Sequence, residues 1–159
     1  MVVDFLGSSK SVPRKEWKKI LKFFCENYFH KKTANSLYVF LLFDKSSTRD
    51  DGVLGYCQGS DTNHRPKEFL IGIDPDLSKE ETIKTIFHEL IHLKQYSSGK
   101  LKDYLRKDRS NRSKWKSKIY LNNSLKIKDI NNYPWEKEAN RLENVIYEEY
   151  IDHVKKHRK

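Results

Sequence analysis

After Pro13, Trp17, Ile20, Leu21, Phe24 and Tyr28 recur at intervals of one to four residues. That spacing puts them on one face and predicts an amphipathic helix from Pro13 to about Phe29. Leu37 to Phe43 is then continuously apolar, Val53 to Gln58 is a shorter run, and Phe69 to Ile73 is apolar again, with Gly- and Asp-containing segments between. Three strands are predicted there. Ser78 precedes Glu81 by three residues, the spacing of a capping box, and Ile83, Ile86, Phe87 and Leu90 follow as a helical stripe that stops before Gly99. From Lys100 to Asn132 the pattern dissolves into basic and Asn-rich sequence with scattered Trp115, Ile119, Tyr120, Leu121, Leu125 and Ile127, and no element is predicted. Pro134 opens a third helix, with Ala139, Leu142, Ile146, Tyr150 and Val154 on one face. Three helices and a small sheet of about three strands make an α+β chain.

Composition narrows the class. The 159 residues suit one domain spanning 1–159, and neither a repeat nor a Pro- or Gly-rich linker divides them. Eight Phe, nine Tyr and three Trp supply enough bulky apolar surface for a core. No apolar run approaches the length of a membrane span. Met1 to Lys10 lacks both a basic leader and a long apolar stretch, so the expected location is the cytoplasm. Cys25 and Cys57 are too few for a disulfide framework or an all-Cys zinc site, so a bound metal would need His and carboxylate ligands. Lys and Arg exceed Asp and Glu by 32 to 22, for a formal charge of +10. The excess is concentrated in a basic segment, 100–118, and a basic tail, 155–159. Such charge attracts nucleic acid, anionic lipid or acidic protein and specifies no chemistry.

The chemistry lies in His88-Glu89-Leu90-Ile91-His92, an H-E-x-x-H run on the second helix. Residues four apart share a helix face, so His88 and His92 can offer imidazole nitrogens to one ion while Glu89 stands beside them as a base. Zinc with an open coordination position lowers the pKa of bound water to about 7, which suits peptide hydrolysis. Catalytic zinc usually has three protein ligands. The first turn of the third helix, Trp135-Glu136-Lys137-Glu138-Ala139-Asn140, offers Glu136 and Glu138 as carboxylate candidates. Only one of the pair should reach the ion, because residues two apart on a helix face different ways. His153 and His157 are further nitrogen donors toward the basic tail.

Taken together, His88 to His92 and Pro134 to Asn140 resemble the gluzincin type of zinc metallopeptidase, whose second motif reads E-x-x-A/S-D on a later helix. The chain is most similar to the small single-domain members, the minigluzincins and phage-type peptidases with a P-W-E-x-E-A segment. The resemblance implies a zincin-like domain with Zn²⁺ held by His88, His92 and Glu136, Glu89 as general base, and a protein or peptide as substrate. Asn140 stands where the family usually has Asp, whose carboxylate orients a ligand histidine; an amide oxygen can accept the same hydrogen bond without the charge. By the same resemblance Phe69 to Ile73, just before the first zinc helix, would hold an extended substrate by strand addition. Its composition equally suits an interior core strand. Tyr133, Tyr120, Arg141 and His153 are candidates for stabilising an oxyanion, and no spacing selects among them.

Two other readings use the charge. SprT-like peptidases act on DNA-associated proteins and combine an H-E-x-x-H helix with basic surfaces, but their third ligand is normally a histidine soon after the first pair, and Leu93 to Gly99 contains none. A non-catalytic nucleic-acid-binding protein would grip phosphates with 100–118, with Tyr104 and Trp115 available for base stacking.

Overall fold

A computed structural model describes residues 1–45, 53–61, 63–105, 111–121 and 130–157. The chain is α+β. Its elements run β1 (Val2–Leu6), α1 (Arg14–Tyr28), α2 (Lys31–Asn35), β2 (Tyr38–Phe43), β3 (Gly55–Gly59), β4 (Glu68–Ile73), α3 (Lys79–Ser97), β5 (Leu101–Leu105), β6 (Asn111–Trp115), β7 (Lys118–Leu121) and α4 (Pro134–Lys156). Leu125, Ile127 and the end of the basic tail lie outside the described residues.

The strands form two sheets where the sequence predicts one. The first is mixed, in the order β1-β2-β4-β3, with β1, β2 and β4 parallel and β3 antiparallel to β4. The second, β5-β6-β7, is antiparallel and occupies the basic segment. Pattern reading misses β1 because Val2-Val3-Asp4-Phe5-Leu6 is an edge strand with no strictly polar face. It misses the second sheet because Lys102, Arg112, Lys114 and Lys118 interrupt its apolar positions and leave no clear alternation.

Alternation along β2 and β4 explains the layering. Val39, Leu41 and Phe43 face the core with Phe69, Ile71 and Ile73, while Tyr38, Phe40 and Leu42 face away. Helices cover the buried face. Trp17, Ile20, Leu21, Phe23 and Phe24 of α1 meet Ile83, Ile86, Phe87, Leu90 and Ile91 of α3, and Ala139, Ile146 and Tyr150 of α4 complete the cluster. The ends of α3 are well specified. Ser78 Oγ accepts from Glu81 N–H while the Glu81 carboxylate accepts from Ser78 N–H, the expected capping box. Gly99 follows the helix at φ +75°, a left-handed conformation that side chains disfavour.

The sheet order decides which backbone groups are left free to pair. Phe69–Ile73 lies between β2 and β3, so it is an interior strand and cannot accept an added strand. Among the described residues the sheet's edges are β1 and β3, and β3 is the edge beside α3. Leu54 pairs with Asp74 and Ser60 with Glu68 through ladder hydrogen bonds of 3.0 and 2.9 Å, so in antiparallel alternation Tyr56 and Gln58 also bond β4. The N–H and C=O groups of Gly55, Cys57 and Gly59 therefore point outward.

Phe87 is fully buried, with ring centroids of Phe24, Tyr150 and Phe23 at 6.0, 5.7 and 6.2 Å. It joins α1, α3 and α4, so Phe87→Ala is expected to cost about 3–5 kcal/mol of stability in urea unfolding. A loss under about 1 kcal/mol would mean that the three helices do not share one core.

Candidate metal centre

Helix α3 brings His88 and His92 to the same face, and α4 brings Glu136 against them. The two Nε2 atoms are 3.0 Å apart, and Glu136 Oε2 is 3.3 Å from each. Among the described residues this is the one group of three His, Cys, Asp or Glu side chains that could hold a metal ion, its donor atoms all within 4.8 Å of one another. Donors on a tetrahedral ion at 2.0–2.1 Å stand about 3.3–3.4 Å apart, so the triad fits such an ion with a slight opening of the two rings. Ala139 makes this approach possible. It has no exposed surface and lies between Glu136 and Glu143 on the face of α4 that meets α3.

The outer nitrogens fix which way each ring points. His88 Nδ1 is 2.8 Å from Glu143 Oε2, and His92 Nδ1 is 2.8 Å from Gln95 Oε1. The Gln95 amide cannot turn over at no cost, because its Nε2 donates to the Trp135 carbonyl at 3.1 Å and to Glu138 Oε2 at 2.9 Å. Glu138 is held in turn by Lys100. With acceptors facing both Nδ1 atoms, the neutral rings carry their protons there. In that neutral form both Nε2 lone pairs face Glu136 Oε2, an arrangement that could hold a cation.

The electrostatics agree. Burial alone would lower His88, but hydrogen bonds to Glu136 and Glu143 overcome it and push its pKa up to about 10. Burial alone would raise Glu136, and its bonds with the two histidines outweigh that and hold it down at about 2. His92 is also raised against the pull of burial, through Glu136. The field that holds protons on these rings is one that favours a metal cation in the same place. Glu89 differs. It is 5% exposed, and burial raises its pKa, with His92 and His88 pulling the other way. Such a carboxylate is a stronger base than an exposed one.

Glu89 lies directly under the edge strand. A Cβ on Gly55 would come within 3.1 Å of Glu89 Oε1 and 2.7 Å of Thr85 Cγ2, so glycine is what lets β3 rest on α3 beside this carboxylate.

The sequence-derived candidates therefore separate. His88, Glu89, His92 and Glu136 come together. Glu138 turns to Gln95 and Lys100 and is absent from the donor cluster. Asn140 is exposed and orients neither histidine; Glu143, one turn further along α4, takes the position expected of it. Glu143 is seven residues after Glu136 and so on its face, a spacing that could have revealed it. Gln95, three residues after His92, was equally within reach. The oxyanion candidates are engaged elsewhere: Tyr133 stacks on Trp135 and donates to the Leu121 carbonyl, and Tyr120 packs edge-on against Trp135. Arg141 is exposed, and His153 packs on Phe23, about 25 Å along α4 from Glu136. His157 follows it toward the C-terminus, with its ring against His153.

Comparison with protein-family models, with curated proteins and with solved structures found no match to this chain.

Replacing the residue that orients a ligand typically costs 10–100-fold in metal affinity. Glu143→Ala is accordingly expected to weaken zinc binding by about that factor in calorimetric titration, and Asn140→Ala to leave it unchanged. The reverse pattern would return the orienting role to Asn140.

Proposed function

We propose that this chain is a zinc-dependent peptidase of the gluzincin-like, zincin-type kind, with His88, His92 and Glu136 as metal ligands and Glu89 as general base. The observation that carries the reading is a juxtaposition. Two imidazole nitrogens and one carboxylate oxygen converge 3.0–3.3 Å apart, and a buried carboxylate adjoins them beneath a strand edge with free backbone groups. Three ligands leave a fourth position open, as catalytic sites require.

When bound, zinc would supply a Lewis acid that polarises the scissile carbonyl and acidifies water to a pKa of about 7. The chain's own residues do the rest. Glu136, Glu143 and Gln95 hold the histidines in register. Glu89, kept basic by burial, takes the proton of the attacking water and can return it to the leaving amine. The outward N–H and C=O groups of Gly55, Cys57 and Gly59 pair with an extended peptide, and Gly55 lets that backbone come close to Glu89. The peptide-holding role expected for Phe69–Ile73 thus passes to β3.

The donor set also bears on the SprT-like alternative. Its third donor would be a histidine on or just after α3, whereas here the third donor is Glu136, 44 residues after His92.

The test is Glu89→Gln in zinc-loaded protein, assayed on a mixed peptide digest. Hydrolysis should fall at least about 100-fold while zinc content stays at the wild-type level. Hydrolysis that survives the substitution, or a wild type that binds zinc and cleaves nothing, would contradict the proposal.

A further inference from the structure

A groove of about 740 Å³ lies between β1 and α1 and is bounded by α2, and none of its lining residues belongs to the metal centre. Two repeats give it its length. Lys18, Leu21, Lys22, Cys25 and Glu26 recur at three- and four-residue intervals, so they form one stripe about 12 Å long on α1. Met1, Val3 and Phe5 alternate along the facing strand over about 13 Å. Because β1 is an edge strand, its core-facing side chains are less covered than those of β2. Val3 and Phe5 are half-buried where Val39 and Leu41 are buried. Phe29 and Ala34 complete the floor beside Leu21, and Phe29 is held by an edge-on contact with Phe24 at 5.7 Å between ring centroids.

Floor and rim differ in chemistry. The floor is hydrocarbon, aromatic ring and one thiol. Burial, above all, raises the Cys25 pKa, so that group stays neutral and behaves as a small apolar surface. The rim carries Lys18, Lys22 and Lys31 against the single carboxylate of Glu26, and all four are exposed. The charge is unevenly spread along it. Lys22 and Glu26 stand 3.7 Å apart and offset each other, and Lys31 and Asn35 share that end of the rim. At the other end Lys18 lies one helical turn from Arg14, whose guanidinium stands over the Phe5 ring at 5.1 Å. Neither Arg14 nor Lys18 enters any of the ion pairs among the described residues. An apolar floor with a few polar groups at its mouth is the pattern of a small-molecule site, and such sites measure about 300–1,000 Å³.

We infer that this groove binds a fatty acid, with the carboxylate between Arg14 and Lys18 and the hydrocarbon chain along Leu21, Cys25 and Ala34. The chain suits the floor because it brings no polar group that needs a partner there, whereas a peptide lying on these side chains would bring amides that do. A second copy of the protein would set two cationic rims against each other, and a nucleic acid would leave the apolar floor uncovered. The inference is independent of the peptidase reading, since it uses no residue of the metal centre.

The experiment titrates dodecanoate, octanoate and dodecyltrimethylammonium into the full-length protein by calorimetry, all below their micellar range. Dodecanoate should bind once per chain and at least about tenfold more tightly than octanoate, because each buried methylene adds to affinity. The cationic amphiphile of equal chain length should not compete with it. Arg14→Glu/Lys18→Glu should weaken dodecanoate about fivefold or more, and Lys31→Glu by less. These are exposed positions, so the variants keep the fold, which circular dichroism checks. Location is read separately: dodecanoate should slow iodoacetamide modification of Cys25, followed by peptide mapping, and leave Cys57 unchanged. Binding indifferent to chain length or to the sign of the headgroup, charge reversals without effect, unaltered Cys25 labelling, or tighter binding of a peptide of alternating Leu and Glu would overturn the inference.

Discussion

The close approach of α3 and α4 at Ala139 is the constraint on which the rest depends. A side chain larger than methyl there would separate the helices and pull Glu136 out of reach of the two histidines. The core keeps that distance. Phe87 and Tyr150 meet edge to face between the helices further along, and Ile146 is buried in the same cluster. The burial that stabilises the helix pair is thus the burial that removes water from Glu89 and His92, and one packing arrangement produces both the geometry and the low-dielectric setting of the candidate centre.

Around that contact the polar groups form a continuous chain. Lys100 binds Glu138, Glu138 receives Gln95, Gln95 receives His92, and His92 faces His88 and Glu136. Lys100 is the last residue before β5, its carbonyl receives Lys116 N–H at 2.7 Å, and its ammonium group stands over the Trp115 ring. Trp115 packs in turn on Trp135 at the start of α4. The small second sheet is therefore fastened to the same helix pair that carries the candidate metal donors.

Much of this was legible in the sequence, for reasons particular residues make clear. The helices announce themselves through Ser78 and Glu81, Pro134, and long apolar stripes, because caps and periodicity are local. The H-E-x-x-H spacing places three site residues for the same reason. Glu136 and Glu138, two apart on one helix, face different ways as expected, Glu136 toward the two histidines and Glu138 toward Gln95 and Lys100. Strand order is a different matter. Whether Phe69–Ile73 or Gly55–Gly59 forms the edge depends on where the β3 hairpin folds back, and neither composition decides it. Asn140 shows a different difficulty. A motif aligned by position named the residue, but the orienting carboxylate comes from Glu143 because α4 crosses α3 so that its next turn faces His88. The second sheet was hidden because the few buried positions of its first two strands, Leu101, Ser113 and Trp115, are interspersed with Lys102, Arg112 and Lys114, which reads as a solvated charge run.

The central claim is that two histidines of α3 and one carboxylate of α4 hold a metal ion. Elemental analysis of protein purified without added metal tests it most directly, with wild type, Glu136→Ala and Glu138→Ala measured side by side. The account predicts about one zinc per wild-type chain, lost from Glu136→Ala and retained by Glu138→Ala. A wild type that neither carries zinc nor takes it up on titration, or a Glu136→Ala variant that keeps it, would contradict the account.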